Sequence, residues 1–264
     1  MPQFDLMTIA EIVEWVESRA GVVTPEDIQR LREDVRSGVR TLARRLERNR
    51  ARQAAEEVRL SQLWDMERQL KGQGYHLIAG VDEAGRGPLA GPVVAAAVLF
   101  PDEIHIPRVN DSKQLSPAVR DELFELISAS AAAIGVGIVD HAYIDQHNIL
   151  NATRQAMRQA VRNLGVVPDL VLVDGNMLPS WPFAGKAVLQ GDAHSFSIAA
   201  ASIIAKVTRD RLMLRYDRLY PEYGFARHKG YSCQEHFQAI TTHGPCPIHR
   251  LSFLSRFRGE EEDA

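Results

Sequence analysis

Cysteine is almost missing from this chain of 264 residues: it has two, Cys233 and Cys246. The opening stretch, MPQFDLMTIAEIVEWVE, is acidic and broken by charge, unlike a secretory signal. A disulfide framework is therefore excluded as the source of stability, and a cytoplasmic protein is expected. Long apolar runs are missing as well. None reaches about 18 residues, so no membrane span is expected. Internal repeats and low-complexity segments are absent, which leaves no repeat architecture. Excess positive charge is absent too: 31 Lys and Arg against 34 Asp and Glu leave a formal net charge of −3. Any attraction to nucleic acid has to come from local basic patches rather than from the whole molecule.

What remains is an ordinary globular composition, 45% hydrophobic and 25% charged. The length suits one domain of roughly 180–200 residues plus an appendage. Composition shifts near residue 75. Residues 8–72 hold one proline and three glycines, and their apolar residues recur at helical spacing. Thr24-Pro25-Glu26-Asp27 reads as a helix start, with Thr24 as N-cap and Asp27 reaching back. Ile28, Leu31, Val35, Val39, Leu42 and Leu46 then form one expected apolar stripe. Between residues 30 and 52 stand nine arginines against three acids. That basic face fits either a duplex-binding accessory with salt-dependent affinity or a solvated helix face paired with neighbouring acids.

From residue 76 the pattern changes to short apolar runs punctuated by Gly and Pro. Strands are expected over 76–82, 93–100, 134–140, 169–174 and 186–191. Helices are expected from Ser116-Pro117 to about Ala129, over 149–164 and over 196–219. The order predicts a mixed sheet with helices on its faces, its first two strands an antiparallel hairpin. The expected division is a helical extension over 1–75, a sheet-containing main domain over 76–254 and an acidic tail, read as disordered, over 255–264.

Carboxylates stand where the apolar runs stop. Asp82 and Glu83 close the first, Asp174 closes the fourth, and Asp192 follows the last. Ligands of open α/β sheets gather beyond strand ends, and carboxylates brought together there repel unless cations neutralise them. An all-oxygen set favours Mg²⁺ or Mn²⁺ over zinc. Taken singly, each acid also fits a blander role: Asp174-Gly175-Asn176 is a good turn, and Asp192 could cap the next helix. Two adjacent acids after a wholly apolar strand gain nothing in packing. In VDEAGRGPLAGP (81–92) they run into Gly85-Arg86-Gly87, whose small residues let backbone N–H groups approach a phosphate or sugar closely. No Gly-Lys-Ser/Thr ending follows, so this is not a Walker loop.

Together with DSKQLS (111–116), VDGN (173–176), GDAHSFSIAAASIIAKVTRD (191–210) and YGFARHKGY (223–231), the segment GVDEAGRGPLAGPVV (80–94) resembles bacterial ribonuclease HII. The resemblance spans residues 76 to about 254. It implies a ribonuclease H-like fold, a five-stranded mixed sheet flanked by helices, here with an N-terminal helical extension. It implies a hydrolase, an endonuclease that cleaves the RNA strand of RNA–DNA hybrids. It further implies incision 5′ to a ribonucleotide embedded in duplex DNA, with 3′-hydroxyl and 5′-phosphate ends, as in ribonucleotide excision repair. Asp82, Glu83, Asp174 and Asp192 would be the catalytic acids holding one or two Mn²⁺ or Mg²⁺ ions. Gly85, Arg86 and Gly87 would read the ribose 2′-hydroxyl, Tyr231 would stack on the adjoining deoxynucleotide sugar, and Lys113 and Lys206 would hold phosphates. The implied partners are RNA–DNA hybrid and ribonucleotide-containing duplex DNA, met by a monomer away from membranes. Cys233 stands where the family usually has Thr, and Gln190 where a basic residue is common. The related HIII type fits less well, because the matched segment reads Gly-Arg-Gly and carries Tyr231.

Two rival readings stay open on the residues: a non-catalytic nucleic-acid binder, and a junction resolvase or transposase-like nuclease on the same fold. Intact acids argue against the first, and the Gly-Arg-Gly loop with Tyr231 against the second. Cys233, His236, His243, Cys246 and His249 have spacings resembling a zinc site, although core or surface roles suit them better. Ala199, Ala200, Ala201 and Ala205 are expected to let a helix lie close on the sheet.

Overall fold

Helices α1 (Ile9–Ser18) and α2 (Pro25–Glu33) each begin with a reciprocal capping box, Thr8 with Glu11 and Thr24 with Asp27. The Thr24 start is as the sequence predicts. The computed structural model describes residues 2–19 and 22–258, with side chains through Leu254. The chain divides into two compact units, Met1–Arg59 and Leu60–Ala264, whereas the composition changes near residue 75.

In the first unit, Phe4, Ile12, Val16, Leu31, Val39 and Ala43 are buried together. The expected single stripe is broken, because Val35 is 90% exposed. Helix α2 stops at Glu33, and the extended Asp34 turns the chain before α3 (Ser37–Leu63). Arg36 fixes that turn by donating to the Asp34 carboxylate at 2.8 Å and the Phe4 carbonyl at 2.9 Å. Its hydrogen bond holds the Asp34 carboxyl down at about 2. Along α3, Arg44, Arg45, Arg48, Arg50 and Arg52 are exposed.

The last residues of α3 belong to the second unit, where α4 (Asp65–Lys71) comes next. Trp64 is buried, stacked on Phe196 at 4.4 Å between ring centroids and edge-on to Phe100 at 5.9 Å. The sheet comprises β1 (Ile78–Ala84), β2 (Val93–Leu99), β3 (Ala133–Val139), β4 (Leu170–Asp174) and β5 (Gly185–Val188), in the spatial order β3-β2-β1-β4-β5. Strand β2 runs antiparallel to β1 and β3, while β4 runs parallel to β1 and β5. The mixed sheet and its opening antiparallel pair are as expected. Strand β5 is shorter than expected: Gln190 turns into the left-handed region (φ 51°) and Leu189 is 71% exposed.

Every residue of β2 is buried, because helices cover both faces. On one face lie α5 (Pro117–Ser130) and α7 (Phe196–Leu219), on the other α6 (His141–Arg162). The fit is close. A Cβ on Gly80 would lie 2.2 Å from the Ser197 carbonyl carbon, and one on Gly137 would lie 2.0 Å from the Ala156 carbonyl oxygen. The alanines of α7 are fully buried, in keeping with their expected packing role. Helix α6 starts earlier than expected, capped by Asp140, and bends at Asn148 (φ 64°), which caps the continuation by accepting from the Asn151 N–H at 3.1 Å. Helices α8 (Phe225–His228), α9 (Gln234–His243) and α10 (Leu251–Arg258) complete the unit. Of the acidic tail, residues 259–264 lie outside the described residues. No described helix is long and apolar enough to cross a membrane.

Candidate active site

Strand β1 outruns β4. Its pairing with β4 ends at Val81–Val173, but β2 continues opposite Asp82 and Glu83. The two acids thus project where the sheet opens beside the end of β4, which closes on Asp174. Gly191 then donates its N–H to Asp174 Oδ1 at 2.6 Å, tying the turn that carries Asp192 to Asp174. A Cβ on Gly191 would lie 2.6 Å from the Ile198 Cδ1 methyl, which would have to shift to admit a larger residue.

The four acids form one electrostatic cluster. Burial pushes Asp82 well above the usual carboxylate range, and Glu83 and Asp174 add to the rise; Ser202 and the Glu83 N–H counteract it. Glu83 is raised by burial and Asp174 against the pull of Arg86, whose Nη1 lies 3.1 Å from Glu83 Oε1. Asp192 is raised by burial, by Asp111 and by Asp174. Lys113 faces the same cluster: burial lowers it, but Asp111, Asp82, Asp192 and Asp174 prevail, and its net shift is upward. Sequence reasoning took Lys113 from the DSKQLS segment and passed over Asp111, which caps the turn by accepting from the Lys113 N–H at 2.9 Å. Only its proximity to Asp192 in space reveals it.

Among the described residues no three His, Cys, Asp or Glu side chains stand as a ready-made metal cluster. The fit to a divalent ion rests on donor chemistry. Four carboxylates gather at and just beyond neighbouring strand ends, and an oxygen-seeking cation would relieve the burial and repulsion that raise three of them.

Beside Glu83 the chain turns through Gly85 (φ +92°), where a Cβ would lie 2.0 Å from Arg209 Nε. The atom nearest a Cβ on Gly87 is Cε1 of Tyr231, at 4.0 Å, so the structure brings these distant residues together. Tyr231 is 42% exposed. Two fully buried arginines, not singled out in the sequence, underlie this corner. Arg250 donates to the carbonyls of Gly85 (2.6 Å), Arg86 (2.9 Å) and Gly91 (3.0 Å). Arg209 donates to those of Pro92 (3.0 Å), Ala90 (3.1 Å) and Lys229 (3.1 Å). Burial, with Arg209 nearby, pushes Arg250 down to about 9, which leaves it charged at neutral pH. Lys206 stands apart from the acids. It pairs with Asp210 at 2.6 Å on the wall of a cleft of about 470 Å³ shared with Arg120, Arg227, His228 and Tyr231.

Two histidines of the zinc-like spacing, His236 and His249, form a relay behind Tyr231. The Cys246 N–H donates to His249 Nδ1 at 2.9 Å, so the His249 proton sits on Nε2 and is given to His236 Nε2 at 3.0 Å. His236 must then carry its proton on Nδ1, where it donates to the Tyr231 carbonyl at 3.0 Å. His228, stacked on His236 at 4.5 Å, accepts from the Gly230 N–H and donates to the Tyr223 carbonyl. Burial lowers His236 to about 4 and shifts His249 in the same direction.

The model of the family described as Ribonuclease HII matches residues 79–256, and that of the Ribonuclease HII N-terminal domain matches residues 8–71. A Ribonuclease HII of Geobacillus kaustophilus (strain HTA426) is 54% identical over 223 residues, 84% of this chain and 85% of its own. One of Clostridioides difficile (strain 630) is 49% identical over 247 residues, 94% of this chain and 97% of its own. Among solved structures, the crystal structure of the ribonuclease H2 from Pyrococcus horikoshii OT3 is similar, with a TM-score of 0.59 and 30% identity, covering 70% of this chain and 98% of that one.

Proposed function

The chain belongs to the ribonuclease HII family and is a ribonuclease H, a hydrolase acting on RNA–DNA hybrids; from that premise we propose that it incises duplex DNA 5′ to a single embedded ribonucleotide. The observation that carries this reading is that the Tyr231 ring edge lies 4.0 Å from where a Cβ on Gly87 would stand, next to the Glu83–Arg86 pair. A ribose reader and a contact to the next nucleotide that share one corner would read a single 2′-hydroxyl together with its DNA neighbour.

In this reading Asp82, Glu83, Asp174 and Asp192 hold Mg²⁺ or Mn²⁺. A bound divalent ion supplies polarisation of the phosphate and a more acidic attacking water. Backbone groups of Gly85, Arg86 and Gly87 contact the 2′-hydroxyl, which distinguishes RNA from DNA. Tyr231 stacks on the neighbouring deoxynucleotide sugar without regard to base identity. Arg86 steadies Glu83, and Lys113, turned toward the acids, takes a phosphate oxygen. Lys206 serves a phosphate farther along the strand, from the basic cleft. Cleavage leaves 3′-hydroxyl and 5′-phosphate ends, and the protein works as a monomer in cytoplasmic ribonucleotide excision repair.

The test is a labelled DNA duplex with one ribonucleotide, incubated with Mg²⁺ or Mn²⁺ beside its all-deoxy twin. Only the first should be cut, once, on the 5′ side of the ribonucleotide. Cutting of neither, or of both equally, would overturn the reading. Tyr231→Ala should lower kcat/KM at the single ribonucleotide by about tenfold or more, the worth of one stacking contact. On a continuous hybrid, where many registers offer a 2′-hydroxyl, the loss should be much smaller. Equal losses would contradict the role given to Tyr231.

A further inference from the structure

Arg209 and Arg250 are both 0% exposed, and neither forms an ion pair among the described residues; Asp210 and Asp145 favour their charge only from farther off. Burying an uncompensated cation is costly, and apolar side chains of similar volume would fill the space at lower cost. Their six hydrogen bonds show where the compensation lies: every one ends on a backbone carbonyl, five of them within residues 85–92. A planar trans peptide points its C=O and the next N–H in opposite directions. Because Arg250 draws the carbonyls of Gly85 and Arg86 inward, the N–H groups of Arg86 and Gly87 are turned away from it. The N–H of Gly91 obeys the same rule: Arg209 takes the Ala90 carbonyl, and Gly91 donates the other way, to Ile248, at 2.9 Å.

Arg209 does more than brace this loop. Its Nη1 holds the carbonyl of Lys229, two residues before Tyr231, and its guanidinium carbon lies 5.7 Å from the centre of the Tyr231 ring. Arg250 touches the loop and Phe253. A lysine could keep either charge, but not the fixed fork that reaches three carbonyls at once.

We infer that Arg250 is a positioning residue that aims the Arg86 and Gly87 N–H groups, and that Arg209 locks this loop and Tyr231 into a single ribose-and-junction reader. This rests on the proposed incision at a single ribonucleotide. With the loop loosened, a single ribonucleotide loses its one productive register, whereas a continuous hybrid still offers a 2′-hydroxyl at each step.

The experiment compares R250K, R209K, Y231A and the doubles R250K/Y231A and R209K/Y231A on the two substrates, with circular dichroism and Tm checking the fold. Both lysine variants should lose roughly tenfold or more in kcat/KM at the single ribonucleotide and no more than about threefold on the continuous hybrid. R209K/Y231A should lose little beyond the worse single variant, since both changes disable one contact, while R250K/Y231A should be additive. Uniform loss on both substrates, or additivity in R209K/Y231A, would overturn the inference. If a lysine variant does not fold, the parent decides: the Nε–H resonances of the two buried arginines should shift when metal-free protein binds the ribonucleotide duplex and not its all-deoxy twin. Identical shifts would overturn the inference. Should the parent fail to discriminate the two duplexes in cleavage, the reading of the site falls and this inference with it. A discriminating parent with unchanged lysine variants sinks the inference alone.

Discussion

Asp82→Asn is expected to abolish cleavage, by about a hundredfold or more, while the affinity for an RNA–DNA hybrid stays within about threefold. A hundredfold corresponds to roughly 2.7 kcal/mol of transition-state stabilisation, in line with the loss of one carboxylate from a metal-holding set. Residual activity above about a tenth of the parent's would count against a central role. The substitution adds no bulk, and it should stabilise the metal-free fold. Asp82 is 5% exposed and its pKa is raised, first by burial and then by Glu83 and Asp174. The sign comes from proton binding. The folded chain keeps the proton after the unfolded chain has released it, so parent stability falls as pH climbs from the ordinary aspartate value, near 4, to the raised one. Asparagine never ionises. At pH 8 without metal the variant should therefore melt a few degrees above the parent, a gain of about 1 kcal/mol, and the gap should close below about pH 4. Added Mg²⁺ should lift the parent and leave the variant nearly unmoved. A variant that melts lower at pH 8 would contradict this account of the cluster.

Trp64→Ala should cost the second unit about 3–5 kcal/mol, a large share of the roughly 5–15 kcal/mol that holds a domain together. The ring is 5% exposed, stacks on Phe196, meets Phe100 edge-on, and donates its indole N–H to the Ile104 carbonyl at 3.2 Å. One turn on, Glu67 holds the start of α7, accepting from the hydroxyls of Ser195 (2.6 Å) and Ser197 (2.7 Å). Loosening this wedge frees the N-terminus of the helix whose far half carries Arg209. Urea unfolding measures the loss as a drop in midpoint at unchanged slope. A cost under about 1 kcal/mol would show that Trp64 is not part of the core it is packed in.

The strands and their acids were legible because a buried central strand leaves an unbroken apolar run, and charge at its end stands out against it. The same logic revealed the Thr24 and Ser116 helix starts, where a hydroxyl precedes a proline. Other features answer to distance in space. Val35 keeps the helical spacing of its neighbours, yet Asp34 and Arg36 close a turn around it and leave it in solvent. Segment 141–147 hides its helix in polar residues, and Asn148 mimics a true start by capping the turn after it. In the sequence Arg209 looks like any arginine of a long helix, and Arg250 like any arginine just before one. Their burial depends on carbonyls supplied by residues 85–92, more than a hundred positions away. Asp111 sat inside a motif already noticed, and its role shows only against Asp192.

The relay of His249, His236 and the Tyr231 carbonyl has a direction. Each imidazole has one hydrogen to give and one lone pair to receive, and the Cys246 N–H at one end fixes the sense of the whole series. Burial is the main reason the His236 ring resists protonation down to about pH 4, and His228 and His249 add to it; an extra proton there would also set two N–H groups head to head at His249. The pair therefore behaves like two fixed amides, a strut of constant polarity rather than a sensor in the neutral range. Acid undoes it from outside. Below about pH 6.5 the unfolded chain takes up protons that the folded relay refuses, so its contribution to stability drains away as the solution acidifies.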